Sequence, residues 1–244
     1  MLQLAQVMKR ATAVHSSRIP FNIIIKMKIL SLLAAYAVAK VASLDPYLRT
    51  VGVLTMPPQE NDRLKGHGHY ITEMADIWMR SGGLFPVYIP YNISDADLYP
   101  ILDQINGVFF TGGDLDLYNE TSGTPHNYTV TARKILDYAL KQNDQGDYFP
   151  LLGVCQGHEL LHMLVANDKD ALGWSKLDNT PVNTVFTDDD PQGSSRFFRH
   201  FSREEIQAMR EENILYHYHH RSISILNYLR YPKLQEFFRM LSYN

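Results

Sequence analysis

A single cysteine, Cys155, stands in the whole chain of 244 residues. Disulfides need cysteines in pairs, so an intrachain disulfide framework is excluded. Charge of one sign is also lacking. The formal net charge is -3 and no long run of like charges occurs, which removes the basic face that nucleic-acid binders use. The longest apolar run, Ile29 to Ala39, is too short to span a bilayer. No internal repeat or low-complexity linker divides the sequence, so one sizeable domain with a small-molecule partner is expected.

What is present begins with an unusual start. Met27-Lys28 precedes the run Ile29 to Ala39, and small residues around Val41-Ala42-Ser43 follow it. Charged n-region, short h-region and small-residue cleavage site form a signal-peptide pattern displaced inward. Residues 1–43 are therefore expected to be a leader with Met27 as the true start, and 44–244 the folded domain. A short buried helix is the alternative. Three acceptor sequons, at Asn92, Asn119 and Asn127, also favour the secretory route, with an extracellular, lysosomal or vacuolar destination.

From Thr50 onward the chain alternates strand-like and helix-like segments. Strands are predicted at Thr50 to Thr55, Phe85 to Ile89, Gly107 to Phe110 and Leu151 to Val154. Helices are predicted at Tyr70 to Ser81, at Asp95 to Gln104 with Ser94 as N-cap, at Thr129 to Gln142 and at Gly157 to Val165. This rhythm implies the α/β class, a mostly parallel sheet covered by helices on both faces. Ala171 to Gly193 reads as polar and irregular, with Asp188 to Asp190 as a solvated loop. Helix is expected again at Arg203 to Arg210 and at Pro232 to Leu241, and strand at Ile214 to Tyr218.

The strongest chemical signal is Gly153-Val154-Cys155-Gln156-Gly157-His158-Glu159. Small residues flank a nucleophilic side chain between strand and helix, the arrangement of a nucleophile elbow. Such a turn puts the thiol at a helix N-terminus, where the helix dipole favours an anion. A thiolate attacking an amide builds charge on the carbonyl oxygen, so donors must be aimed there. The N–H of Gln156 and those of Gly112 or Gly113 are the candidates. A packed, inert thiol is the competing reading for Cys155.

The strings Ile105 to Gly113, Gly146 to Gly157, Ser195 to Phe198 and Tyr218 to Ser224 resemble, in order and spacing, the γ-glutamyl hydrolase family, peptidase family C26, in the class I glutamine-amidotransferase-like superfamily. The resemblance covers Thr50 to the C-terminus. It implies a secreted or lysosomal peptidase that cuts γ-glutamyl amide bonds in folate poly-γ-glutamates, without metal or organic cofactor, with a homodimer as its assembly. By position it makes Cys155 the nucleophile, Gly113 and Gln156 the oxyanion hole and His219 a substrate-binding residue. Arg196 and Glu73 receive no role.

The sequence also departs from the family pattern. A Trp- or Phe-His-Pro-Glu motif that supplies the family's general base lies beyond the segment matching Pro232 to Asn244, and no His-Pro-Glu string occurs here. The domain is therefore expected to be incomplete at its C-terminus. His219 and His217 are the weak substitutes for the base. In an extended strand they share one face and His220 takes the other. His-x-His-His lacks the further ligands of a closed zinc site, and His158 with His162, four apart on the elbow helix, reads as packing or surface. Two other functions compete with the hydrolase: a glutaminase domain of an amidotransferase, and a pseudo-hydrolase that binds glutamyl ligands without turnover.

Overall fold

The computed structural model describes residues 49–58, 68–175, 177 and 179–244. The leader expected over residues 1–43 lies outside them. The described residues divide into two units, residues 49–111, 115–117 and 125–152 in one and 112–114, 118–124 and 153–244 in the other.

The first unit is built on parallel strands. β1 (Arg49–Leu54) pairs in parallel with β2 (Leu84–Ile89) on one side and β3 (Val108–Phe110) on the other, and β4 (Leu151–Gly153) completes the order β2-β1-β3-β4. The α/β class expected from the alternating segments is thus observed. Pro86 interrupts the donor row of β2, which an edge strand tolerates. β1 and β3 bury Val53, Leu54, Val108, Phe109 and Phe110 almost completely. Their continuous apolar runs are what a sheet covered on both faces requires.

Among the described residues three helices belong to this unit: α1 (Glu73–Ser81), α2 (Asp95–Leu102) and α3 (Asn127–Asp144). α1 sets Met79 into a cluster with Val53 and Phe109. It starts three residues later than the periodicity predicts, because Tyr70 pairs with Met56 in an antiparallel bridge. Ser94 does stand at the N-cap of α2, but its hydroxyl donates to the Asp97 carboxylate at 2.7 Å instead of accepting a backbone N–H. α3 buries Ile135, Leu136 and Ala139, and its Asn143 both donates to the Phe149 carbonyl (2.8 Å) and accepts the Phe149 N–H (3.2 Å). That pair of bonds fixes the approach to β4.

The second unit opens with α4 (Gln156–Ala166), whose Leu160, Leu161, Met163 and Leu164 are buried. At about 1.5–3 kcal/mol for each such side chain, this face anchors the helix firmly. Asn167 ends it in the left-handed conformation, φ 55°, which asparagine accepts. The stretch read as irregular holds short strands with distant partners. These are β5 (Gly173–Trp174), β6 (Thr180–Val182) and β7 (Val185–Phe186).

Helices α5 (Pro191–Ser194) and α6 (Arg203–Glu211) follow, then β8 (Leu215–His217), β9 (Arg221–Ser222), α7 (Ile225–Arg230), α8 (Pro232–Phe237) and β10 (Ser242–Tyr243). The antiparallel ladders are β5-β9, β6-β8 and β7-β10. Strands of two or three residues carry no readable period, so only the partner defines them. Within the acid run, Asp190 accepts the Gly193 N–H and caps α5, and Asp188 meets Arg239 at 3.4 Å. The helix predicted to reach Leu241 stops at Phe237, because Phe238 turns extended.

The sharpest local signal in this unit is the capping box of α6. Ser202 accepts the Glu205 N–H at 3.1 Å and the Glu205 carboxylate accepts the Ser202 N–H at 2.7 Å. Replacing Ser202→Ala is expected to lower stability by about 1 kcal/mol, read as a shifted urea midpoint at unchanged slope.

Candidate active site

β4 turns into α4 through a residue that L side chains rarely accommodate. Cys155 has φ 52° and ψ -118°, and its side chain is exposed. Gly153 makes this turn sterically feasible. A Cβ there would lie 2.5 Å from the Gly157 carbonyl oxygen and 2.8 Å from the His158 nitrogen, both backbone atoms that cannot swing away. The turn is closed by Gly157 N–H donating to the Val154 carbonyl at 2.9 Å. The Cys155 carbonyl takes the N–H groups of His158 (2.9 Å) and Glu159 (3.1 Å). Strain of this kind costs of order 1–3 kcal/mol, which the buried face of α4 offsets.

Gly112, in the loop after β3, lies against the nucleophile. A Cβ on it would be 3.2 Å from Cys155 Cβ and 3.7 Å from Sγ. Gly113 follows and is exposed, while Gln156 is the first residue of α4. The three elements expected around an oxyanion, Cys155, the glycine pair and the N-terminus of α4, therefore converge in one unit. Cys155 Sγ makes no hydrogen bond among the described residues.

Histidines line the same unit. His162 is buried; its Nδ1 donates to the His158 carbonyl at 2.8 Å and its ring stacks on Phe238, centroids 4.4 Å apart. The packing reading of His162 is thus what the fold adopts, and Phe238 leaves its helix to make the stack. His158 keeps an accessible rim but has protein atoms densely around the rest of its ring, 4.1 Å from that of His162. Desolvation, followed by the charges of His162 and His219, pushes it down to about 4. Burial lowers His162 as well.

His217 and His219 share a face, as strand alternation requires: His217 Nδ1 lies 2.9 Å from His219 Nε2, and His219 Nδ1 lies 3.0 Å from the Arg221 carbonyl oxygen. Sequence reasoning passed over a further group. Glu159, half-buried on α4, is held above the usual carboxylate range chiefly by burial, with Arg221 pulling it down and Asp114 pushing it up. Its position one turn after the cysteine was the available signal. Glu73 opens α1 in the other unit, and Arg196 is exposed between α5 and α6. Among the described residues, no three His, Cys, Asp or Glu side chains are grouped to hold a metal ion, and no helix is long and apolar enough to cross a membrane.

Residues 50–168 match the family model described as Peptidase C26. Over that stretch, just under half of its length, the chain is similar to the Peptidase C26 family. It is 33% identical over 175 residues to a gamma-glutamyl hydrolase of Rattus norvegicus, a match covering 72% of this chain and 52% of the relative. The gamma-glutamyl hydrolase of Mus musculus is 32% identical over 177 residues, 72% of this chain and 53% of its own length. Gamma-glutamyl hydrolase B of Dictyostelium discoideum is 30% identical over 194 residues, 80% and 54%. The chain spans about half the length of the curated relatives it matches. The stretch matched by the C26 model holds the glycine pair and the elbow, and the pair His217 and His219 lies after it.

The low values of His158 and His162 carry a stability consequence. Each ring stays neutral in the folded protein at pH values where the unfolded chain protonates it near 6.5. Their contribution is therefore complete above about pH 6.5 and is lost as pH falls toward the folded value of His158, about 4. Denaturant midpoints measured from pH 7 to pH 4 should fall, and the fall should be shallower in His158→Gln. A second expectation concerns the turn itself: Gly153→Ala should lose several kcal/mol of stability, because the added methyl meets backbone.

Proposed function

We propose that this chain hydrolyses γ-glutamyl amide bonds, in folate poly-γ-glutamates, through a thioester on Cys155. The observation that carries the reading is the strained elbow, an exposed cysteine at φ 52° with Gly112 against its side chain, in a chain similar to the Peptidase C26 family. Relatives named gamma-glutamyl hydrolase support the choice of bond.

In this mechanism Sγ attacks the γ-carbonyl carbon, and the N–H groups of Gln156 and Gly113 receive the developing oxyanion. The C–N bond breaks, the amine leaves with a proton, and water then cleaves the thioester to regenerate the thiol. A base is still required to pass the protons. We also propose secretion through the leader at 27–43, to an extracellular, lysosomal or vacuolar site, and a homodimer as the working assembly.

Binding without turnover is the second reading, favoured by the absence of any hydrogen bond to Cys155 Sγ among the described residues. Incubating the purified chain with pteroyl-di-γ-glutamate separates the two. Release of free glutamate that disappears in Cys155→Ala establishes the hydrolase. Saturable binding without release, equal in both proteins, establishes the binder.

A further inference from the structure

Among the described residues, the hydrogen bonds of the histidine pair leave one of its four ring nitrogens for a ligand. The Arg221 carbonyl oxygen can only accept, so the 3.0 Å contact places a proton on Nδ1 of His219. Nε2 of His219 lies 2.9 Å from Nδ1 of His217, and one proton sits between them. Both nitrogens of His219 are thereby engaged, as is Nδ1 of His217. Nε2 of His217 makes no hydrogen bond to any described residue, and the ring is only partly buried.

We infer that Nε2 of His217, and not either nitrogen of His219, is the atom of this pair that meets an anionic ligand, a carboxylate. The identity of the ligand as a glutamyl carboxylate rests on the function proposed above.

Counting protons shows why an anion fits. In the neutral pair, His217 Nδ1–H donates to His219 Nε2, and Nε2 of His217 is a bare lone pair. One proton taken from solvent goes onto that Nε2 without breaking a bond. The charge then resides on either ring, depending on which side of the 2.9 Å bond the shared proton lies, and in both cases His217 Nε2 carries N–H. A second proton would set two N–H groups face to face and break the pair. The pair is therefore a one-proton site whose charged state donates from His217, the arrangement that makes a charge-assisted bond to a carboxylate.

The surroundings agree with this assignment. β6 sets Thr180 opposite His217 and brings no charge there. His219 is the titratable group facing His217, with His158 beyond it on α4, and Arg221 and Asp114 each act on Glu159. Burial and then His219 hold His217 below the usual imidazole range.

The test is a ¹⁵N titration of the imidazole resonances of the native chain at pH 5, with glutarate as a bare dicarboxylate probe and γ-glutamyl-glutamate as the second. The expected result is a shift of His217 Nε2 with little change at His219 Nδ1, weaker at pH 8. His217→Asn should weaken binding by roughly tenfold or more, and His219→Asn by less. A response to glutarate but not to the γ-glutamyl peptide supports the carboxylate site while refuting the substrate assignment. A response centred on His219, or none at His217 with either probe, overturns the inference.

Discussion

The backbone of Cys155 is the constraint on which the site depends. A residue with a side chain holds φ 52° and ψ -118° only when its neighbours leave it no alternative. Here β4 fixes one side, and the buried leucines of α4 fix the other. Gly153 removes the Cβ that would strike the Gly157 carbonyl. The strained turn leaves the cysteine exposed, starts α4 at Gln156 and leaves Gly112 so near that a Cβ on it would lie 3.2 Å from Cys155 Cβ.

A second organisation, built from histidines, surrounds the elbow. His158 and His162 come from the elbow helix itself and are kept neutral by desolvation, with Phe238 closing over His162. His217 and His219 arrive from a segment some sixty residues later and are tied to each other and to the Arg221 carbonyl. His162 acts as packing, which is costly to protonate, while His158 stays exposed beside it; the second pair leaves Nε2 of His217 unengaged among the described residues. Identical side chains are thus divided between core and site by their environment alone.

Much of the parallel sheet was legible before any coordinates. β1 to β4 and the helices between them fall within one to three residues of their predicted ends, because four apolar strands alternating with amphipathic helices admit few other solutions. The failures were local competitions. Tyr70 left α1 for a bridge with Met56, and Ser94 gave its hydroxyl to Asp97 instead of the backbone. After Asn167 the reading was weak for a stronger reason. Ladders such as β6-β8 pair residues more than thirty positions apart, and two-residue strands have no period of their own.

By itself the sequence determined the α/β class, the elbow around Cys155 and the family resemblance, because each is written in contiguous residues: apolar runs, glycines at fixed spacing, a nucleophile between strand and helix. Tertiary structure alone decided which groups keep company with that elbow. It brought Glu159 toward Arg221 and Asp114, stacked Phe238 on His162, and arranged His217 and His219 so that only His217 retains an unengaged nitrogen among the described residues. The physical reason is range. Backbone turns are set by neighbours in the chain, whereas desolvation and hydrogen-bond exhaustion depend on atoms that only folding brings together.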